Sequence, residues 1–138
     1  MLNEEVRTIM TKDPSVVLPS NSVQEVTDLM IREKLTQLPV VENSKLVGMV
    51  TTYDLWKNKE ISIESKVEDV MTKKVIKITP KDKVGTAAEL FMDRRFKTLP
   101  VVNLDGDLKG VVTAFDVMRY TLKKEYRNHI LYSDVIEK

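Results

Sequence analysis

Leu38-Pro39-Val40-Val41 recurs as Leu99-Pro100-Val101-Val102, 61 residues further along the chain. Met10-Thr11-Lys12 recurs as Met71-Thr72-Lys73 at the same spacing, and a fixed spacing of this kind is typical of an internal repeat. After the turn at Leu104-Asp105-Gly106-Asp107 the spacing becomes 62, which one inserted turn residue explains. The sequence therefore contains two copies of one unit. Further matched pairs are Pro19 and Pro80, Val23 and Val84, Leu29 and Leu90, Gly48 and Gly110, Val50 and Val112, Thr51 and Thr113, and Asp54 and Asp116.

Runs of β-forming residues, helical apolar faces and turn residues follow one another in the same order in both copies. We predict strand, helix, strand, strand and helix in each copy, an α/β fold of the α+β type built as a tandem repeat. A short helical turn is expected to lead into each copy. The predicted strands are 16–18, 38–41 and 46–51 in the first copy and 75–78, 99–102 and 108–113 in the second.

The predicted helices begin at recognisable signals. Ser22 and Glu25 have the spacing of a capping box, in which each side chain bonds the backbone N–H of the other residue. The second helix of each copy is expected to start near Thr51 or Thr113, and the last one could extend toward Arg127. The predicted apolar faces are Val23, Val26, Leu29, Met30 and Ile31 in the first copy and Val84, Ala87, Ala88, Phe91 and Met92 in the second.

We interpret residues 1–138 as one module, with a first repeat at 6–58 and a second repeat at 67–122. The polar segment 59–66 is the predicted connector. Residues 123–138 are a C-terminal extension with no counterpart after the first repeat. The sequence leaves two roles open for this extension, a dimer contact or the binding of another protein.

Composition excludes several classes of site. There is no cysteine and one histidine, His129, so a disulfide or a metal centre built from these residues is not expected. Lysine and arginine total 22 against 21 acidic residues, a balance that offers no net attraction to nucleic acid or to an anionic membrane. No apolar run reaches the roughly 18 residues of a membrane helix, and the first residues do not resemble a signal peptide. We therefore expect a cytoplasmic protein that does not bind a membrane.

Catalytic groups are scarce as well. His129 lies outside both repeats, and the four glycines form no phosphate-cradling loop. No nucleophile has a general base placed beside it in the sequence. We expect a binding protein and not an enzyme, with no cofactor other than a regulatory ligand.

Four motifs occur in the same order in both copies: a Met-Thr lead-in, the Leu-Pro-Val-Val strand, a Gly-apolar-Val-Thr strand, and an Asp three residues after that Thr. With this ordered set, the chain from Val6 to about Leu122 closely resembles the CBS family, the module named after cystathionine beta-synthase. The resemblance implies two repeats packed about a pseudo-twofold axis with two clefts between them. It also implies that the clefts bind AMP, ADP, ATP, S-adenosylmethionine or a related adenosine derivative, and that modules join through their helices into homodimers.

The same resemblance implies a ligand beside each Thr/Asp pair. The carboxylate would accept hydrogen bonds from ribose hydroxyls, and the threonine and the helix N-terminus would face phosphate. Capping of the helix alone is the alternative, because Thr and Asp at this spacing also form a capping box. The implied binding residues are Thr113, Asp116, Thr11, Lys12, Ser15, Lys97 and Thr98 in an Asp116 cleft, and Thr51, Asp54, Thr72, Lys74, Ile76, Thr36 and Gln37 in an Asp54 cleft.

The two implied clefts differ in their basic residues. Because Arg94, Arg95 and Lys97 lie close together, we expect the Asp116 cleft to be better supplied for a charged phosphate. The alternative is that the two arginines lie at the end of a helix and contact solvent and not a ligand. The Asp54 cleft is expected to prefer fewer phosphates or to stay empty.

The helices that close the repeats carry two further features. Lys57 and Arg119 each follow an Asp by three residues, where we expect a local ion pair and not a phosphate contact. The bulky apolar residues on these helices either pack in the core or contact a second module. They are Tyr53, Trp56, Phe115 and Met118.

Three functions remain open from the sequence. The leading hypothesis is a nucleotide sensor, in which the ligand shifts the arrangement of the repeats and so alters contact with an unidentified effector protein. The alternative is a constitutive dimer or scaffold with non-functional clefts. A weakly nucleic-acid-binding adaptor is a third hypothesis, indicated only by Lys123-Lys124 and Arg94-Arg95 in a nearly neutral chain.

Overall fold

The structure is a computed structural model that describes residues 2–94 and 96–125, without the side chains of Arg94 and Glu125. The predicted extension toward Arg127, His129 and most of the C-terminal extension lie outside the described residues. Within those ranges no helix is long and apolar enough to cross a membrane. The elements are α1 (Val23–Glu33), β1 (Gln37–Glu42), β2 (Lys45–Thr51), α2 (Thr52–Lys57), α3 (Val84–Arg94), β3 (Thr98–Val102), β4 (Leu108–Thr113) and α4 (Ala114–Glu125).

Each repeat contains one antiparallel hairpin, β1–β2 or β3–β4, and each hairpin has a bulge near the end of its first strand. Asn43 and Ser44 connect β1 to β2, with φ of 52° and 68°. Positive φ at both positions is the geometry of the two-residue turn that matches strand twist. The second connection is longer, and its Gly106 has a φ of 88°. The predicted α+β architecture is confirmed.

The predicted first strand of each repeat is shorter than expected. Val17 forms one parallel bridge to Val40, and Ile78 forms the equivalent bridge to Val101. The ladder stops there because the next N–H that would face the neighbouring strand belongs to position 19 or 80, and Pro19 and Pro80 have no N–H. The amide in between bonds a side chain. The N–H of Leu18 donates to Asn21 Oδ1 at 2.6 Å, and the N–H of Thr79 donates to Asp82 Oδ2 at 2.7 Å.

Helix α1 begins with the predicted capping box. The hydroxyl of Ser22 accepts from the N–H of Glu25 at 3.1 Å, and the Glu25 carboxylate accepts from the N–H of Ser22 at 3.0 Å. These bonds favour the charged form of Glu25 and hold its pKa below the usual value. The cap thus fixes where the helix starts and which face it turns to the core.

Two residues predicted on the apolar helix faces are exposed instead. Ile31 is 71% exposed and Met92 is 81% exposed. Each directly follows the last buried residue of its helix, Met30 or Phe91. One residue further is a rotation of about 100°, which turns the side chain away from the core. The buried faces are therefore narrower than the sequence predicted.

Each repeat contributes its lead-in segment to the hydrophobic core of the other repeat. We define the lead-in segments as residues 5–15 for the first repeat and 66–76 for the second. Each segment contains the predicted helical turn, a short 3-10 helix. Val6, from the first lead-in, is fully buried in the core of the second repeat. Val67 and Val70, from the second lead-in, are buried in the core of the first repeat. Neither core is complete without residues from the other repeat.

Backbone hydrogen bonds fix this exchange. The N–H of Thr11 donates to the Val111 carbonyl at 2.8 Å, and the N–H of Val111 donates back at 3.0 Å. Thr72 and Met49 form the equivalent pair, at 2.8 and 2.9 Å. Each lead-in is therefore bridged to the second strand of the other repeat's hairpin, and the repeats are held together by the same contact made twice.

The hairpin tips add a second contact between the repeats. The N–H of Leu46 donates to the Gly106 carbonyl at 3.1 Å, and the N–H of Leu108 donates to the Ser44 carbonyl at 3.0 Å. Lys45 Nζ lies 2.9 Å from Asp107 Oδ1, and this ammonium group is the main cause of the lowered pKa of the Asp107 carboxyl. The repeats thus meet at both the lead-ins and the hairpin tips.

Glycine is required where a lead-in crosses a strand. A Cβ atom on Gly110 would lie 2.6 Å from the Thr11 carbonyl oxygen, and one on Gly48 would lie 2.8 Å from the Thr72 carbonyl oxygen. Because both oxygens belong to backbone that is hydrogen-bonded across the repeats, neither can move without disturbing the exchange. The two matched glycines in the sequence are therefore explained by close approach of the two backbones.

We expect Gly110→Ala to lower the free energy of unfolding by about 1–3 kcal/mol, the usual cost of overpacking. Urea denaturation followed by circular dichroism measures it. Gly85→Ala is the control, since its Cβ would lie 3.3 Å from Leu2 and alanine adds about 1 kcal/mol of helix propensity. Equal stability of the two variants would contradict the close-approach explanation.

Candidate functional site

Two clefts lie between the repeats, related by the same exchange that joins the cores. The Asp116 cleft contains Thr113, the residue that caps helix α4 together with Asp116, and has a volume of about 360 Å³. The Asp54 cleft contains Thr51 and has a volume of about 250 Å³. Each cleft is lined by one repeat's lead-in, the start of both hairpins, and the end of the opposite repeat's second strand.

A capping box closes the helix start at each cleft. The N–H of Thr113 donates to Asp116 Oδ2 at 2.9 Å, and the N–H of Asp116 donates to Thr113 Oγ1 at 3.0 Å. Thr51 and Asp54 form the same pair of bonds, both at 3.0 Å. The capping alternative recognised in the sequence is therefore present at both positions. Each cap fixes one carboxylate oxygen and leaves Oδ1 for other partners.

The remaining oxygen has different partners in the two clefts. Asp54 Oδ1 accepts from the Thr72 hydroxyl at 3.1 Å and lies 3.3 Å from Lys57 Nζ. Asp116 Oδ1 lies 3.6 Å from Arg119, and Thr11, the counterpart of Thr72, makes no hydrogen bond to it. The expected local ion pairs of Lys57 and Arg119 are confirmed. The Asp116 oxygen is the less engaged of the two.

Most of the predicted site residues fall into the clefts that the sequence assigned to them. Thr11, Ser15 and Thr98 line the Asp116 cleft together with Thr113. The Asp54 cleft brings together five of its predicted residues, whose roles in binding stay a prediction. They are Thr51, Thr72, Lys74, Ile76 and Gln37.

Five predicted residues do not line the cleft assigned to them. Two are the carboxylates Asp54 and Asp116, which are buried, 3% and 8% exposed, and are hydrogen-bonded to Thr51 and Thr113, the cap residues that line the clefts.

The other three predicted residues lie elsewhere. Lys12 lines a separate open depression beside Arg7 and Lys109. Its assignment to the Asp116 cleft stays a prediction that the lining of that cleft does not support. Thr36 and Lys97 lie beside the helix starts without lining either cleft. Their carbonyls accept from the N–H of Thr52 at 2.9 Å and of Ala114 at 3.2 Å.

The sequence predicted one cleft each for Gln37 and Thr98, and it did not predict Leu35 or Phe96. Gln37 and Thr98 each line both clefts, because the starts of β1 and β3 lie between the clefts. Leu35 and Phe96 supply the apolar wall of one cleft each. The 61-residue spacing relates Gln37 to Thr98 and Leu35 to Phe96, so the repeat itself could have indicated them.

The described residues that line the two clefts differ in charge. Asp13 and Glu33 line the Asp116 cleft, and no lysine or arginine of the described part of the chain joins them. Glu33 also accepts a hydrogen bond from the Ser15 hydroxyl. Lys74 lines the Asp54 cleft. Lys97 does not line the Asp116 cleft. The expected basic supply also depends on Arg94 and Arg95, whose side chains lie outside the described residues, so it stays a prediction.

We expect Thr72→Val to lower the free energy of unfolding by about 1–2 kcal/mol, because the buried Asp54 carboxylate loses a hydrogen bond while its neighbours stay in place. The control is Thr11→Val, at the matched position without such a bond, where the change should stay within about 0.5 kcal/mol. Both are measured by urea denaturation. Equal losses in the two variants would show that the Thr72 hydroxyl is not a specific partner of Asp54.

The chain is similar to a known family and to solved structures. The family model for the CBS domain matches residues 6–55 and 67–123. A structure of CBSX2 from Arabidopsis thaliana in complex with AMP is 32% identical, with a TM-score of 0.79, and the match covers 88% of this chain and 98% of that one. The CBS domain pair of protein MJ0100 with 5′-methylthioadenosine and S-adenosyl-L-methionine is 28% identical, with coverage of 88% and 98% and a TM-score of 0.74.

Curated relatives include longer proteins. A homoserine O-acetyltransferase from Methanohalobium evestigatum is 34% identical over 116 residues, which is 83% of this chain and 23% of that protein. The chain spans about a quarter to a half of the length of the first such relatives. The similarity therefore concerns one part of these proteins, the part that corresponds to the two repeats.

Proposed function

This chain belongs to the CBS domain family, and from that premise we propose that it is a regulatory module that binds an adenosine-containing ligand between its two repeats. The observation that carries the proposal is the Asp116 cleft, whose walls come from both repeats. Its volume of about 360 Å³ falls within the range of small-molecule sites. A ligand held there contacts both repeats at once.

Asp116 is the proposed anchor for the ribose of the ligand. Its carboxylate is 8% exposed and is held in place by the cap, so little order has to be gained on binding. Asp116 Oδ1 has the Arg119 ion pair at 3.6 Å as its contact in the described structure, and it can accept from two vicinal hydroxyls. This geometry favours a ribose over a sugar that lacks one hydroxyl.

The Asp54 cleft is the proposed weaker site. It is smaller, at about 250 Å³, and the Thr72 hydroxyl already occupies the oxygen that would receive ribose. A ligand has to displace that hydrogen bond before it can use the carboxylate. We expect the two clefts to fill at different ligand concentrations.

Two structural relatives support the class of ligand. CBSX2 was solved with AMP, and the MJ0100 CBS pair with 5′-methylthioadenosine and S-adenosyl-L-methionine. Adenosine is the part that these three molecules share. The proposal therefore specifies an adenosine moiety and leaves its 5′ substituent to the chemistry of the cleft.

Regulation follows from where the ligand would sit. Because the lead-ins and hairpin tips join the repeats, a ligand between them stabilises one relative arrangement in proportion to its preference for that arrangement. A partner protein that contacts both repeats would sense the difference. We propose no catalytic activity, since the homoserine O-acetyltransferase relative shares 23% of its length with this chain and its activity need not reside in that part.

Isothermal titration calorimetry with AMP, 5′-methylthioadenosine and S-adenosylmethionine tests the proposed site. We expect saturable binding of 5′-methylthioadenosine that Asp116→Ala weakens about tenfold to a hundredfold, because charged hydrogen bonds to ribose are lost. Asp54→Ala is the matched control and should leave the tighter site for this ligand intact. Absence of binding by every ligand would favour a constitutive scaffold with non-functional clefts.

A homodimer through the closing helices is the proposed assembly. Tyr53 and Trp56 on α2 and Phe115 and Met118 on α4 are exposed and occupy matched positions in the two repeats. A surface related to itself by the pseudo-twofold axis suits a second copy of the chain, since a twofold interface is self-complementary. We propose this surface as the contact.

We expect the protein to sediment as a dimer and Trp56→Asp to shift it toward monomer, because a buried charge without a partner opposes association. Analytical ultracentrifugation measures both. Ile31→Asp, at an exposed apolar residue on α1, is the control and should remain dimeric. A monomeric wild-type protein would refute the proposed homodimer and would leave the proposed ligand binding untested by this experiment.

A further inference from the structure

The two clefts occupy equivalent places in the repeats but carry opposite charges at equivalent positions. Asp13 lines the Asp116 cleft, and Lys74, 61 residues later, lines the Asp54 cleft. Glu33, also on the wall of the Asp116 cleft, corresponds in sequence to Arg94. At two pairs of equivalent positions the first repeat therefore has an acidic residue where the second repeat has a basic one. The threonines that line the clefts are the same in both repeats.

Glu33 is an exposed residue that lines the cleft. It lies in the last turn of α1, and its carboxylate accepts a hydrogen bond from the hydroxyl of Ser15, a lead-in residue of the same cleft. No lysine or arginine among the described residues forms an ion pair with Glu33 or Asp13. Both side chains are exposed, so each contributes a modest, solvent-screened repulsion to an anionic ligand in the cleft.

A cleft of this size brings each wall charge within a Debye length of its ligand, so repulsion acts on any phosphate bound there. Lys74 has the opposite effect in the other cleft. We infer that the Asp116 cleft selects an adenosine derivative with an uncharged or cationic 5′ substituent, such as a thioether or a sulfonium, whereas the Asp54 cleft prefers a nucleoside monophosphate. This inference rests on the proposed adenosine-binding function and assigns a ligand class to each cleft.

Titration followed by amide NMR at low ionic strength reads the two clefts separately in the intact protein. The amide of Thr113 reports the Asp116 cleft, and the amide of Thr51 reports the Asp54 cleft. We expect Thr113 to respond to 5′-methylthioadenosine at a concentration at least about threefold lower than to AMP, since each exposed charge contributes modestly. Thr51 should show the reverse order.

Neutral variants test the cause. Glu33→Gln keeps the size of the side chain and its bond to Ser15, and it should reduce the preference at Thr113. Lys74→Gln should weaken AMP binding at Thr51 by about threefold or more. Glu42→Gln, at an exposed carboxylate outside both clefts, should change neither preference.

The outcomes separate the two proposals. The same order of preference at both amides, or a preference at Thr113 that Glu33→Gln leaves unchanged, overturns charge selection while adenosine binding stands. No response of either amide to any adenosine ligand overturns the proposed function itself. High salt should narrow the preference at both clefts, because it screens the wall charges.

Discussion

The reciprocal exchange of the lead-in segments is the constraint on which the structure depends. Two backbone bridges, Thr11 to Val111 and Thr72 to Met49, carry each lead-in across to the other repeat. The exchange buries Val6 and Val67 in cores that would otherwise be open. It also builds both clefts, since every cleft wall includes a lead-in and a strand from opposite repeats. Folding of the module and formation of its candidate site are therefore one event.

Sequence periodicity predicted the order of elements well because each element carries a local signal, such as the Ser22 capping box or the Thr113 start of the last helix. It overestimated the first strand of each repeat, where the contact with the neighbouring strand is a single bridge that Pro19 or Pro80, without an N–H, cannot extend. The exposure of Ile31 was not predicted either, because it depends on how wide a face of α1 the core covers.

Part of the candidate site could be predicted from the sequence, and part depends on how the two repeats pack together. Motif residues from opposite repeats, such as Thr11 and Thr113, could be assigned to the same cleft through the family resemblance. The shared position of Gln37 between both clefts follows from how the hairpins meet, which no local pattern records. Charge was the least predictable property. Lys12 lines a separate depression, and the two acidic residues that line the Asp116 cleft, Asp13 and Glu33, belong to none of the four repeated motifs.

Hydrogen exchange of the backbone amides, with and without saturating 5′-methylthioadenosine, tests most directly whether a ligand bridges the repeats. We expect exchange to slow together in the first lead-in, at Thr11 and Ser15, and across the boundary of β4 and α4, at Thr113 and Asp116. Protection confined to one repeat would contradict a bridging ligand, and unchanged exchange throughout would contradict the Asp116 cleft as a binding site.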